Sequence, residues 1–223
     1  MKLVEGIWLP DSDTHFSEHL IKGSRFQNAG TYQYNKIMLA MAQCSKYNGA
    51  IDVGAHVGLW SRVLSHYFTN VLAFEPVPDH IECFKKNIDT LIKKNVVLIP
   101  MAAGSDKGTV RINPVVDNTG NARVDNIGIE VEMVKLDNVI STSQLPGHVD
   151  FIKIDVEGYE YDVVKGAEQS IKRNRPVMVI EQKPGHAKRY GLHDRAAVDL
   201  VLSWGAKLAW ERSGDYCLTW PKQ

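Results

Sequence analysis

The chain has 223 residues, 44% of them hydrophobic, which suits one large α/β domain better than two small ones. Lys+Arg and Asp+Glu each total 26, so the formal net charge is zero and the basic surplus of a generic nucleic-acid binder is missing. Cys44, Cys83 and Cys217 are odd in number and far apart, with neither a signal peptide nor a membrane-length apolar run; this argues against a disulfide framework, a zinc ribbon or a membrane partner and predicts a cytoplasmic protein.

Residues 1–30 read as irregular, broken by Pro10, Gly23 and Gly30. Within them His15-Phe16-Ser17-Glu18-His19 fits the H-x-x-E-H pattern of a zinc-peptidase group. With only three positions fixed, a solvated turn of helix accounts for it better. Thr31 is placed to cap a helix over 32–46 that turns Ile37, Met38 and Met41 inward and covers one end of a sheet. Residues 1–47 thus form an extension and capping helix ahead of a main domain over 48–223.

Residues 50–61, Ala-Ile-Asp-Val-Gly-Ala-His-Val-Gly-Leu-Trp-Ser, carry the first strong signal. An apolar strand ends in Asp52, a loop with Gly54 and Gly58 follows, and Trp60, Val63, Leu64, Tyr67 and Phe68 recur at helical spacing. Such a loop lets a ligand approach the backbone, and the helix start offers free N–H groups. A dinucleotide site reads G-x-G-x-x-G and receives a pyrophosphate. Here the loop reads G-x-x-x-G behind a carboxylate, which repels phosphate and attracts ammonium or sulfonium. S-adenosylmethionine has both cations and no phosphate, so the charge favours it over NAD.

A second strand over 70–74 ends at Glu75-Pro76, with Glu75 about twenty residues beyond the glycine loop, where an acid binds ribose hydroxyls. Pro78 and Asp79 open a helix with Ile81, Phe84, Ile88 and Ile92 inward. A third strand spans 96–103, a short one 109–113, and 114–128 is a long polar loop before a strand and helical turn over 129–140. The apolar strand 149–156 leads into Glu157-Gly158 and a helix carrying Val163, Val164, Ala167 and Ile171, with Lys172, Arg173 and Arg175 at its C-terminal end. A strand over 176–181 precedes a basic loop over 182–190. Ala197, Leu200, Val201 and Trp204 give a last helix, and 206–210 with 216–220 form a hairpin around Ser213-Gly214-Asp215.

This alternation predicts a Rossmann-like, mostly parallel sheet with helices on both faces and an antiparallel C-terminal hairpin. Ligands in such sheets bind beyond the strand carboxyl ends, where Asp52, Glu75, Asp155, Glu157 and Glu181 all fall. Lys153, Asp155 and Glu157 alternate along one strand and so share a face, a costly burial unless the charges are paired or in use. Asp155, Glu157, Glu181 and His186 are candidates for a general base. A divalent metal held by Asp155 with Glu157 or Glu181 would instead acidify an acceptor hydroxyl. Lys183, Lys188, Arg189 and Arg195 read as a solvated basic loop or as a site for an acceptor bearing phosphate or carboxylate.

Three blocks resemble the FkbM-like methyltransferases in order and approximate spacing: Ile51-Asp52-Val53-Gly54-Ala55-His56-Val57-Gly58, Ala73-Phe74-Glu75-Pro76, and Ile152-Lys153-Ile154-Asp155-Val156-Glu157-Gly158-Tyr159-Glu160. The resemblance covers about residues 48–185. It implies a class I methyltransferase fold with a seven-stranded sheet and one antiparallel strand. It also implies S-adenosylmethionine as cofactor and oxygen methylation of a sugar, polyketide or other small hydroxylated molecule. By motif, Asp52, Gly54, Ala55, His56 and Gly58 would line the methionine part, Glu75 beside Pro76 would take the ribose, and Ala102 and Ala103 would border the adenine. The expected protein is therefore a small-molecule O-methyltransferase. An NAD-dependent oxidoreductase or a nucleic-acid methyltransferase on a similar sheet are the alternatives, and a degenerate binding module is disfavoured by intact cofactor residues.

Overall fold

The computed structural model describes residues 1–115, 117–142 and 148–221. The opening thirty residues are ordered, against the sequence expectation. Strands β1 (Lys2–Val4) and β2 (Ile7–Leu9) form a hairpin, helix α1 spans His15–Lys22, and β3 (Arg25–Phe26) pairs with β4 (Ala29–Gly30). Strands of two or three residues are too short to show a period of two, so nothing in the apolar pattern marks them. Phe16 and Leu20 of α1 are buried in one cluster with Ile7, Leu9, Val57, Leu59 and Cys83, which ties the N-terminal segment to the glycine loop. Helix α2 is Tyr34–Met41, shorter than 32–46, and the residue before it is Gln33 in the left-handed region (φ 55°), not Thr31.

The chain continues through β5 (Gly49–Val53), α3 (Leu59–Tyr67), β6 (Asn70–Phe74), α4 (Pro78–Asp89) and β7 (Val96–Ile99). α4 stops short of Ile92, which is 99% exposed. The strand expected over 96–103 splits at Pro100-Met101, because proline offers no ladder N–H and the chain steps into a second sheet as β8 (Ala102–Gly104). That sheet continues with β9 (Gly108–Asn113), β10 (Arg123–Asp125) and β11 (Ile129–Lys135), in the order β10-β9-β11-β8. The expected loop over 114–128 thus contains β10 and a 3-10 turn, Thr119–Asn121.

Next come α5 (Leu136–Thr142), β12 (Val149–Ile154), α6 (Glu160–Gly166), α7 (Glu168–Asn174), β13 (Val177–Glu181), α8 (Ala196–Ser203), β14 (Lys207–Arg212) and β15 (Asp215–Thr219). One helix was expected where α6 and α7 stand. A Cβ on Gly166 would lie 1.9 Å from the Gly104 carbonyl, so this position packs on β8. The main sheet has the expected seven strands, in the order β14-β15-β13-β12-β5-β6-β7, parallel except where β15 runs against both its neighbours.

Side chains alternate across this sheet into two cores. Ile51, Val53, Ile152, Ile154, Met178 and Ile180 meet Val163, Val164 and Val201 on one face. Ala50, Phe151, Val177 and Val179 meet Ile37, Trp60 and Leu64 on the other. β5 is followed by β6 and β7 on one side and has β12 on the other, so the topological switch lies between β5 and β12. No described helix is long and apolar enough to cross a membrane.

Candidate functional site

A cavity of about 320 Å³ opens at that switch, within the size range of small-molecule sites. Gly54 (φ +73°) turns the chain out of β5, and its N–H and that of Ala55 both donate to the Phe74 carbonyl. A Cβ on Gly54 would sit 1.8 Å from the Asp155 carbonyl oxygen. G54A is therefore expected to lower the unfolding free energy by about 2–5 kcal/mol, from left-handed strain and overpacking together. Urea denaturation would check this, and an unchanged midpoint would contradict it.

On the β6 side the carboxylate of Glu75 is buried in the wall. Its Oε2 accepts the His56 N–H (2.8 Å), and its Oε1 accepts from Val77 N–H (3.0 Å) and His80 Nδ1 (3.1 Å). An ionised carboxylate offers about four acceptor positions, so room for about one more donor remains. That fits a ribose hydroxyl, but only one of the two expected there. Gly54, Ala55, His56, Pro76, Ala102 and Ala103 also line the cavity.

Asp52, Gly58 and His186 do not. Asp52 is fully buried, accepts the Ser61 hydroxyl (2.6 Å) and lies beside Lys153 in the β5–β12 register. Lys153 Nζ donates to the Gly54 carbonyl (2.8 Å) and stands 3.5 Å from Asp52 and 3.6 Å from Asp155. The negative charge read as an attractant for a cationic cofactor is thus matched by an internal ammonium, and Asp52 itself does not reach the cavity. Gly58 starts α3, where a Cβ would lie 3.0 Å from the Phe84 ring.

The acids at the ends of β12 and β13 gather as expected. One oxygen each of Asp155, Glu157 and Glu181 lies within 4.8 Å of the others. Lys153, Asp155 and Glu157 do not alternate along one strand as expected, because β12 ends at Ile154 and Glu157 has a left-handed backbone (φ 57°). Buried Glu160 accepts the N–H groups of Val156 (3.2 Å) and Gly158 (2.8 Å) and so shapes this turn. Arg189 donates to the Glu157 carbonyl (3.2 Å), and His186 Nδ1 lies 3.0 Å from its Oε2. Lys183 Nζ bonds Glu181 (2.8 Å) and stands 3.8 Å from Glu157.

These contacts set the protonation states. Burial, then repulsion from Asp155, pushes Glu181 up to about 9 and Glu157 up to about 7. Burial works on Asp155 in the same direction, but Lys153 and a hydrogen bond with Glu181 outweigh it and hold Asp155 below the usual range. Burial opposes the charge of Lys153, yet Asp155 and Asp52 together raise it to about 12. Burial, then Arg189, lowers His186, which makes it a weaker base than its ordinary value suggests. Two ammonium groups therefore already serve the three-oxygen cluster, so the residues are a poor fit to the divalent metal considered above.

Of the basic loop only Lys183 lines the cavity. Lys188 pairs outward with Asp194 (3.4 Å) and Arg195 with Asp199 (3.2 Å). The far wall comes from His15, Phe16, Tyr32 and Gln33 of the N-terminal segment and from Asn118, Thr119 and Arg123 around the 3-10 turn, inside the polar stretch 114–128. His15 and His19 stack along α1 (4.2 Å between rings). No spacing rule reaches these positions, which meet the cavity only through tertiary packing.

The profile of the methyltransferase FkbM domain matches residues 52–204. The hexuronic acid methyltransferase AglP of Haloferax volcanii is 26% identical over 147 residues, covering 64% of this chain and 59% of that protein. The chain thus spans less than two thirds of that relative's length. Among solved structures, the methyltransferase FkbM from Methylobacillus flagellatus has a TM-score of 0.50 at 20% identity, over 77% of this chain and 43% of that one. The Streptococcus mutans protein SMU.1697c, solved in complex with SAH, has a TM-score of 0.51 at 12% identity, over 82% of this chain and 93% of that one. At these identities the likeness is one of fold.

Proposed function

The chain belongs to the FkbM methyltransferase family and has the class I methyltransferase fold, and on that footing we propose that it moves a methyl group from S-adenosylmethionine to a hydroxyl of a small molecule, with sugars the leading class. The observation that carries the hydroxyl assignment is Glu157. Its carboxyl lines the cavity and is raised to about 7, near the value best suited to a general base at neutral pH. A carboxylate acceptor arrives without its proton and needs no such base; an alcohol does. The bound cofactor supplies an electrophilic methyl group.

The protein's part is to hold both partners in line and to receive one proton. Glu75 and the Gly54–His56 loop hold the nucleoside end. Glu157 takes the hydroxyl proton, with its backbone fixed by Glu160 and Arg189. Lys183 and Arg123 line the same cavity and suit an acceptor carrying a carboxylate. The hexuronic acid methyltransferase relative supports a sugar acid of that kind.

Calorimetry with S-adenosylhomocysteine and with NADH tests the cofactor, and binding of NADH alone would sink the reading. Incubation with uronic acid glycosides and labelled methyl donor tests the acceptor. The expected product keeps its label in mild alkali, as an ether does. Label released by alkali would mean a methyl ester and would refute the hydroxyl assignment.

A further inference from the structure

Asp13 lies outside the region matched by the family profile, and it is fully buried. Its Oδ1 accepts the N–H groups of Phe16 (2.8 Å) and Ser17 (3.2 Å) at the start of α1. Its Oδ2 accepts the Thr119 N–H (3.2 Å) and the Thr119 hydroxyl (2.7 Å). A carboxylate only accepts, so the one hydroxyl proton of Thr119 goes to Asp13. The Thr119 oxygen is left to accept from His56 Nε2, 2.8 Å away. The network thereby assigns the ring proton of His56 to Nε2 and leaves Nδ1 a bare acceptor.

That Nδ1 is buried and has no hydrogen-bond partner among the described residues. Phe16 and His80 flank the ring, with centroids 4.7 Å and 4.4 Å away, and neither supplies a hydrogen bond to Nδ1. Nor does it escape by taking a second proton. Burial, then the neighbouring His80, holds its pKa well below the ordinary histidine value. A buried acceptor left unmet costs about 1–3 kcal/mol, a cost that a ligand donor would remove. The same residue's N–H binds Glu75, whose carboxylate has room for about one further donor, whereas a ribose carries two hydroxyls.

We propose that His56 Nδ1 accepts a hydroxyl of the cofactor's nucleoside, and that Asp13 and Thr119 are positioning residues that lock the ring in its accepting form. This rests on the methyl-donor reading above and moves His56 from the methionine part, where motif placed it, to the ribose. It also makes the N-terminal segment a working part of the cofactor site.

The test has two arms. In long-range proton–nitrogen NMR of the wild-type protein, the His56 ring is expected as the neutral Nε2–H tautomer; a proton on Nδ1 would overturn the proposal without any variant being made. In calorimetry, T119V, which keeps the shape and loses the hydroxyl, is expected to bind S-adenosylhomocysteine about tenfold more weakly. T119S, which restores the hydroxyl, is expected to bind it within about twofold of the wild type. T119V binding as tightly as the wild type would overturn this role alone. A wild type that binds no S-adenosylhomocysteine would overturn the cofactor reading and this role with it.

Discussion

Replacing Lys153 with methionine is expected to lower the unfolding free energy by about 3–5 kcal/mol, the cost of leaving a buried charge without its partner. Lys153 is buried among Asp52, Asp155 and the Gly54 carbonyl, and no other described ammonium or guanidinium lies within ion-pair distance of Asp52. The methionine side chain keeps much of the volume and none of the charge. Two acids would then face each other across the β5–β12 switch, and the carbonyl of the glycine loop would lose its donor. Urea denaturation at pH 7 reads the loss directly. The double variant K153M/D52N, which removes one uncompensated acid as well, should recover part of it. A loss below about 1 kcal/mol would mean that the pair is solvated rather than internal.

The second large effect is on turnover. E157Q is expected to lower kcat by about a hundred- to ten-thousand-fold while the affinity for S-adenosylhomocysteine stays near that of the wild type. Glutamine keeps the size and the His186 contact but cannot take a proton. The pH profile gives an independent check. Only the ionised carboxylate acts as a base, and burial with Asp155 nearby delays ionisation to about 7. Wild-type kcat/KM should therefore rise with pH through that value and then level. Below it the rate should fall about tenfold per unit. The variant should lack the inflection. A wild-type rate that is flat from pH 6 to 9 would remove Glu157 from the role of base.

The strands of the main sheet and the acids at their carboxyl ends were legible in the chain, because buried strands leave continuous apolar runs and their ends are marked by charge. Ile152, Ile154, Met178 and Ile180 are such runs, and Asp155 and Glu181 such ends. The partner of each acid was not legible. Asp52 precedes a glycine loop whether its charge meets a ligand or an internal lysine, and only the register that sets Lys153 beside it decides. Strands β1 to β4 are too short for periodicity, so the part of the wall built by His15 and Phe16 was hidden. Glu160 stood in plain view within a motif, but its work on the Glu157 turn is visible only in its two backbone contacts.

Because Pro100 and Met101 alone separate β7 from β8, the two sheets are stitched together at one seam, and Ala102 and Ala103 of the cavity lie on it. Material at a seam can bend but can hardly travel. The far corner of the second sheet, where Thr119 meets Asp13 and His56, is fastened by hydrogen bonds from two other segments. Breathing between the sheets is expected to pivot near Pro100-Met101 and to be widest at the opposite corner, around Thr119. Backbone amides of β8 should exchange with deuterium slowly and those around Thr119 sooner, which places the doorway to the cavity at the corner that the N-terminal segment holds shut.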